Sequence, residues 1–316
     1  MTFRPLALQL ALATCALIAL NIGVARLARK SVPRQLLDRS ERSKPATDLF
    51  LGNSTMAAGL DEMAFAAAQP GSRPLNLGLG ATKPIEHYLI YRQQDRHRGG
   101  ALYYGFLDTQ LTDPPDSGWS FLFGNRAMGY YVETETAAEF YFPNDPTRQA
   151  AFRAVAQIPV LVERSAIWAK VELVRRSLGE IGLPKKESNL FGRVEDFSLL
   201  EADRGVFALH CARATEARAP LAPSVAALLA MARDRSAPVW VIEMPVTEQH
   251  RRRLYNTPAW AAYRAHIVEL VSAAGGRYVQ AADWIGDDGF ADHLHLNAAG
   301  AAAFSARLAI DTRERR

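Results

Sequence analysis

Five short strand-like segments separated by helical stretches, among them the unbroken apolar run Val239-Trp240-Val241-Ile242, predict an α/β fold. The expected architecture is a three-layer α/β/α sandwich on a parallel, flavodoxin-like sheet, because strands this apolar suit a sheet covered on both faces. The strands are expected at residues 48–52, 75–79, 101–107, 239–245 and 277–281. In such a sheet the working side chains gather at the carboxyl ends of the strands. Residues 53 onward, and the loop before the last helix, are therefore where chemistry is sought.

The chain opens on residues 5–25, apolar apart from Gln9, Thr14 and Asn21. At about 1.5 Å per helical residue this stretch spans a bilayer core of roughly 30 Å, so residues 1–30 read as a membrane anchor or signal segment. Gly23-Val24-Ala25 offers the small residues of a cleavage site, the alternative to an anchor. Leu12-Ala13-Thr14-Cys15 makes a poor lipoprotein box, with Thr before the Cys. Only Arg4 precedes the span, whereas Arg26, Arg29, Lys30 and Arg34 follow it. That distribution alone would hold the following domain in the cytoplasm.

Residues 31–46 read as a polar, basic connector, 47–310 as the α/β domain and 311–316 as a basic tail. Between about 109 and 220 the alternation breaks, which marks a largely helical insertion between the third and fourth strands. Pro114-Pro115, Gly118 and Gly124 punctuate its start; 147–178 reads as long helix interrupted near Pro159, and 183–219 is ambiguous. Trp119, Phe121, Phe123, Tyr130, Tyr131, Phe140, Tyr141 and Phe142 crowd the same region, where core packing is the ordinary role. An insertion of this length beside a functional face serves as a lid, a substrate platform or an interaction surface.

Composition narrows the function classes. With 49% hydrophobic and 22% charged residues among 316, the chain can bury a large core and has no signature of disorder. Its 37 basic against 33 acidic residues leave a net charge of only +4. Arg251-Arg252-Arg253 and Arg313-Glu314-Arg315-Arg316 lack interleaved aromatics, so no nucleic-acid groove is expected. The two cysteines, Cys15 and Cys211, form no disulfide framework. His210 and Cys211 adjoin in Phe207-Ala208-Leu209-His210-Cys211; on a strand they would face opposite ways, and no second ligand pair stands at metal spacing. No metal and no cofactor are expected.

Two motifs at opposite ends of the domain carry the chemistry. Leu49-Phe50-Leu51-Gly52-Asn53-Ser54 is an apolar strand ending on a hydroxyl, and Asp292-His293-Leu294-His295-Leu296-Asn297 places a carboxylate and an imidazole three residues apart before a helix. A serine hydroxyl needs a base within hydrogen-bond reach and a carboxylate that fixes the base's tautomer. Taken alone, Ser54 before Thr55 reads as a helix cap and Asp292 as a capped turn. Their joint occurrence around alternating strands and helices resembles the SGNH (GDSL-like) hydrolase superfamily, here as Gly52-Asn53-Ser54 with Asn in place of the usual Asp. That resemblance implies Ser54 as nucleophile, His295 as base and Asp292 as its orienting partner. It also implies oxyanion donation by the backbone amides of Ser54 and of Gly80, in Asn76-Leu77-Gly78-Leu79-Gly80-Ala81-Thr82, with Gly78 behind it. In the third block, Gly105-Phe106-Leu107-Asp108, Leu107 occupies the slot where the family carries Asn, and Asp108 cannot substitute while ionised.

The function expected from this resemblance is an acyl esterase or acyltransferase working through an acyl-enzyme on Ser54. Its substrates would be acyl esters or exported polysaccharides of the cell envelope, with the domain held outside the cytoplasm, against the basic residues that follow the span. Envelope proteins are the expected macromolecular partners. The competing expectation, which Leu107 favours, is a catalytically weak or inactive domain that binds polysaccharide or scaffolds a synthesis complex.

Overall fold

The computed structural model describes residues 4–29, 32–80, 82–97, 99–113, 134–163, 167, 170–171 and 198–314. The chain divides into two compact units, Met1–Arg39 with Asp116–Lys186, and Ser40–Pro115 with Glu187–Arg316. The second unit carries the sheet.

In the first unit, α1 (Arg4–Ala28) contains a 22-residue stretch, Ala7–Ala28, with mean hydropathy 2.0. It is long and apolar enough to cross a membrane, a property that anchors and signal sequences share. Leu8, Leu12, Leu17 and Ile22 are exposed along it, while Val24 and Ala28 are buried. The polar connector expected at 31–46 is helical over most of its length, α2 (Val32–Arg42), of which Ser40 onward belongs to the second unit. The insertion's helices α6 (Thr134–Tyr141), α7 (Pro146–Ala156) and α8 (Pro159–Val162) belong to the first unit. The break expected at Pro159 is present, because the preceding residue cannot stay helical beside the pyrrolidine ring. Asn21 Oδ1 accepts from the Val160 N–H at 3.0 Å, which fixes α8 against α1.

In the second unit, β1 (Asp48–Leu51), β2 (Pro74–Asn76), β3 (Ala101–Phe106), β4 (Val239–Glu243) and β5 (Arg277–Gln280) form one parallel sheet in the order β2-β1-β3-β4-β5. Each strand lies within a segment expected from sequence, give or take one residue at its ends. Every residue of β1, β3 and β4 is buried, as parallel strands between helical layers must be. On one face Phe50, Tyr103, Trp240, Ile242 and Val279 pack with Met56 and Phe65 of α3 (Ser54–Gly59) and α4 (Glu62–Ala68), and with Phe304 and Leu308 of α12 (Ala298–Glu314). The Phe50 and Tyr103 rings stack at 4.4 Å. α5 (Pro84–Arg92) packs with α10 (Pro223–Asp234), which lies on β4, and α11 (Pro258–Ala273) packs along β5. The result is three layers, helices over each face of the sheet.

The two ends of the insertion meet where the Ala222 N–H donates to Leu111 O at 2.7 Å. Its last helix, α9 (Ser198–Glu216), packs on α11. This corrects the extended reading of 207–211, since His210 and Cys211 are helical. Trp119, Phe121, Phe123, Tyr130 and Tyr131 lie outside the described residues, as do Pro114-Pro115, Gly118, Gly124 and Ala81.

Candidate active site

The strand order reverses between β1 and β3, and the crevice outside the carboxyl ends at such a switch point is where open α/β sheets bind ligands. Ser54 is the first residue of α3, two residues beyond Gly52 at the end of β1. Gly52 is required there, since a Cβ would lie 2.7 Å from the Met56 Cβ and 2.8 Å from Gly105 O. Asn53 caps α3: its Oδ1 accepts from the Thr55 N–H at 2.9 Å and from the Thr55 hydroxyl at 2.8 Å. A carboxylate would accept the same two bonds, so Asn at this position leaves the turn that presents Ser54 intact.

Asp292 and His295 sit in a tight loop ahead of α12. Phe290 and Leu296 form an antiparallel bridge, the Ala291 N–H donates to His295 O at 2.8 Å, and the Asn297 N–H donates to Gly289 O at 2.9 Å. Within that loop Asp292 Oδ1 accepts from the backbone N–H groups of Leu294 (2.9 Å) and His295 (2.8 Å). His295 Nδ1 lies 2.8 Å from Asp292 Oδ2, and His295 Nε2 lies 2.9 Å from Ser54 Oγ. A proton on Nδ1, facing the carboxylate, leaves Nε2 to accept from the serine hydroxyl. Burial pushes the Asp292 carboxyl up, but the Leu294 N–H and the His295 ring and N–H outweigh it and hold its pKa below the ordinary value. Asp292 is thus a fixed anion whose free orientation has been removed.

The glycine block stands beside the serine. Past β2 the Leu77 and Leu79 N–H groups still bond to Phe50 O (2.8 Å) and Gly52 O (3.1 Å), so the segment follows the end of β1. A Cβ at Gly80 would lie 3.8 Å from the Ser54 Cβ. Gly78 meets a tighter fit, with the Ala57 backbone nitrogen 2.6 Å from its Cβ position. All the site residues expected from sequence, Ser54, Asp292, His295 and Gly80, are therefore brought to one end of the sheet.

Several neighbours were not expected from sequence. Thr82 Oγ1 donates to Leu79 O at 2.5 Å and accepts from His87 Nε2 at 2.9 Å, while His87 Nδ1 faces the Tyr104 hydroxyl at 3.1 Å. Burial of His87 lowers its pKa to about 3, so the ring is neutral and braces the glycine block through Thr82. Asp108 adopts a left-handed backbone (φ 51°), and its Oδ1 accepts from His250 Nε2 (3.1 Å) and the Tyr255 hydroxyl (2.9 Å). Leu107 offers no side-chain donor, but its N–H bonds to Gln110 Oε1 at 3.3 Å. His87 with Tyr104, and Asp108 with His250 and Tyr255, are partners remote in sequence, with no motif to mark them. Cys211 is fully buried, and burial followed by the nearby Asp108 charge pushes its thiol up to about 12. That is the opposite of an activated nucleophile. No cluster of three or more metal-ligating side chains occurs among the described residues.

No protein-family model and no curated protein matches the chain. Among solved structures, one described as "a putative platelet activating factor from Streptococcus pneumonia" aligns with 97% of this chain and 98% of its own, at 11% identity and a TM-score of 0.39. At that score the likeness bears on neither fold nor function.

Proposed function

We propose that the chain is a membrane-anchored serine esterase or acyltransferase of SGNH type that acts on acyl esters of the cell envelope or of exported polysaccharide. One observation carries this reading: the unbroken hydrogen-bond chain from Ser54 Oγ through His295 to Asp292.

In the reaction this implies, Ser54 Oγ attacks the ester carbonyl carbon as its proton passes to His295 Nε2, and the carbonyl π pair moves onto oxygen. The Ser54 and Gly80 amides hold that oxyanion. Collapse expels the alkoxide, which takes the proton back from His295, and leaves Ser54 acylated. Water, or a sugar hydroxyl in a transferase, then gives its proton to His295 and attacks the acyl carbon; collapse breaks the acyl–Oγ bond, releases the carboxylic acid or the new ester, and returns the proton from His295 to Ser54 Oγ. Asp292 keeps the imidazole in one tautomer and stabilises its charged form throughout.

The apolar α1 supports attachment to a membrane. Placement of the catalytic unit outside the cytoplasm follows from the substrate class proposed. A second reading, a polysaccharide-binding or scaffolding protein without turnover, is favoured by Leu107, which lacks the side-chain donor of the family's third block.

A serine-directed fluorophosphonate separates the two. The full-length protein in mild detergent should be labelled at Ser54 and should hydrolyse p-nitrophenyl acetate, and Ser54→Ala should fold normally yet lose both. Absence of labelling in the unaltered chain would leave the binding reading standing; turnover that survives Ser54→Ala would defeat the nucleophile assignment.

A further inference from the structure

We propose that the side-chain amide of Gln110 is a catalytic donor to the oxyanion, completing a hole that the backbone amides of Ser54 and Gly80 begin. The proposal rests on the acyl-transfer reading of the same site.

The turn after β3 sends Asp108 and Gln110 in opposite directions. β3 lies between β1 and β4. Asp108 reaches toward the β4 side, where His250 and Tyr255 hold its Oδ1. The Asp108 N–H donates to the same Tyr255 hydroxyl at 3.1 Å, closing a ring of bonds that fixes the left-handed residue. Gln110 reaches the other way, toward β1, and its Oε1 accepts from Asn53 Nδ2 at 3.5 Å, the side chain that immediately precedes the nucleophile. An amide, and not a carboxylate, therefore stands on the Ser54 side of the turn, over the β1/β3 switch point.

The orientation of that amide follows from its partners. Gln110 Oε1 accepts from both the Leu107 N–H (3.3 Å) and Asn53 Nδ2 (3.5 Å), so both of its lone pairs are used and the oxygen and nitrogen cannot be exchanged without losing the two bonds. The NH2 group, by contrast, meets no acceptor among the described residues, and Gln110 is only partly buried. The turn is also rigid. The Tyr263 hydroxyl donates to Thr109 O at 3.1 Å, and the Thr112 N–H donates to the same carbonyl at 3.0 Å. A donor held before the reaction at the place where charge develops costs no reorganisation when the charge appears. An ester oxygen that becomes anionic on Ser54 is the acceptor this group lacks.

The test uses full-length protein in mild detergent, with p-nitrophenyl acetate turnover and the rate of fluorophosphonate labelling at Ser54 as parallel readouts. Labelling serves alone if turnover of this ester is too slow. Gln110→Glu keeps the acceptor for Leu107 and Asn53 but removes the donor; Gln110→Met keeps the volume without either. Both should lower kcat, or the labelling rate, by about 10²–10³-fold with KM little changed and the thermal midpoint preserved. Should Gln110→Glu fail to fold, Gln110→Met decides. An undiminished rate in a folded variant overturns the Gln110 assignment and leaves the acyl-transfer reading intact. Absence of Ser54-dependent labelling in the unaltered chain overturns both.

Discussion

Replacing His87 by Gln should remove much of the acid sensitivity of this protein's stability. The His87 ring is fully buried, and burial lowers its pKa from 6.5 to about 3. Between those two values the unfolded chain binds a proton that the folded chain refuses, so stability rises with pH across the interval and is lost as pH falls through 6.5 toward 3. At 1.36 kcal/mol per pH unit, going from neutral pH to about pH 5 should cost roughly 2 kcal/mol from this ring alone. Gln cannot titrate, and its amide nitrogen still reaches toward Thr82, so the variant should start lower by about 1 kcal/mol for the less favourable bonds yet lose less on acidification. Urea unfolding of both full-length proteins in the same detergent at the two pH values measures the difference, in which other titrating groups, His97 and His293 included, cancel. Equal losses in wild type and variant, within the roughly 0.5 kcal/mol scatter of independent sites, would refute the neutral, buried ring.

Further outcomes are expected at the catalytic loop, the glycine block and the chain terminus. Asp292→Asn should keep the loop, because an amide oxygen still accepts from the Leu294 and His295 N–H groups, but its NH2 would meet His295 Nδ1 and favour the wrong tautomer; ester turnover should fall by about 10⁴-fold, and adding His295→Ala should cost little beyond His295→Ala alone. In the same assay His293→Ala should retain most activity, because the hydrogen-bond chain to Ser54 runs through His295; a dead His293 variant beside an active His295 variant would reverse the assignment. Gly78→Ala should destabilise by about 1–3 kcal/mol in chemical denaturation, since its Cβ would stand 2.6 Å from the Ala57 backbone nitrogen, which cannot swing aside as a side chain can. A reporter enzyme fused after Arg316 should be active outside the cytoplasm, and activity only inside it would remove the envelope substrate from the proposal.

The features visible in sequence are those encoded locally. β1, β3 and β4 announce themselves as apolar runs, and Asp292 with His295 can be paired by their spacing because a three-residue turn settles their geometry. The strand ends are shorter than expected, most of all at β2, where Leu77 and Leu79 keep bonding to the end of β1 outside regular pairing. Helix α2 is hidden by its charge: among its described side chains only Leu37 and Ser40 are buried, and the Ser40 hydroxyl bonds to Gln94, far along the chain. The Phe207–Cys211 stretch is helical although Gly205 and Val206 just before it are weak helix formers, because burial of Cys211 as α9 packs on α11 outweighs that local preference. Gln110, His87 and the pair of His250 with Asp108 owe their roles to partners that only the fold brings near.

The loop that carries His295 is tied to the last helix, and this dictates when the Ser54–His295 pair comes into being during folding. Ser54 and His295 are 241 residues apart, and closing a loop of that size costs about 5 kcal/mol in chain entropy before any contact offsets it. The return comes from α12: Phe304 and Leu308 are fully buried in the core beside β1 and β3, at about 1.5–3 kcal/mol each, and Ser305 Oγ accepts from the Asp61 N–H at 2.8 Å. Any folding intermediate in which α12 is undocked holds its serine without a base. Reactivity toward a fluorophosphonate should consequently be the last native property acquired on refolding, later than tryptophan burial in β4, which makes Ser54 a chemical clock for the closing step.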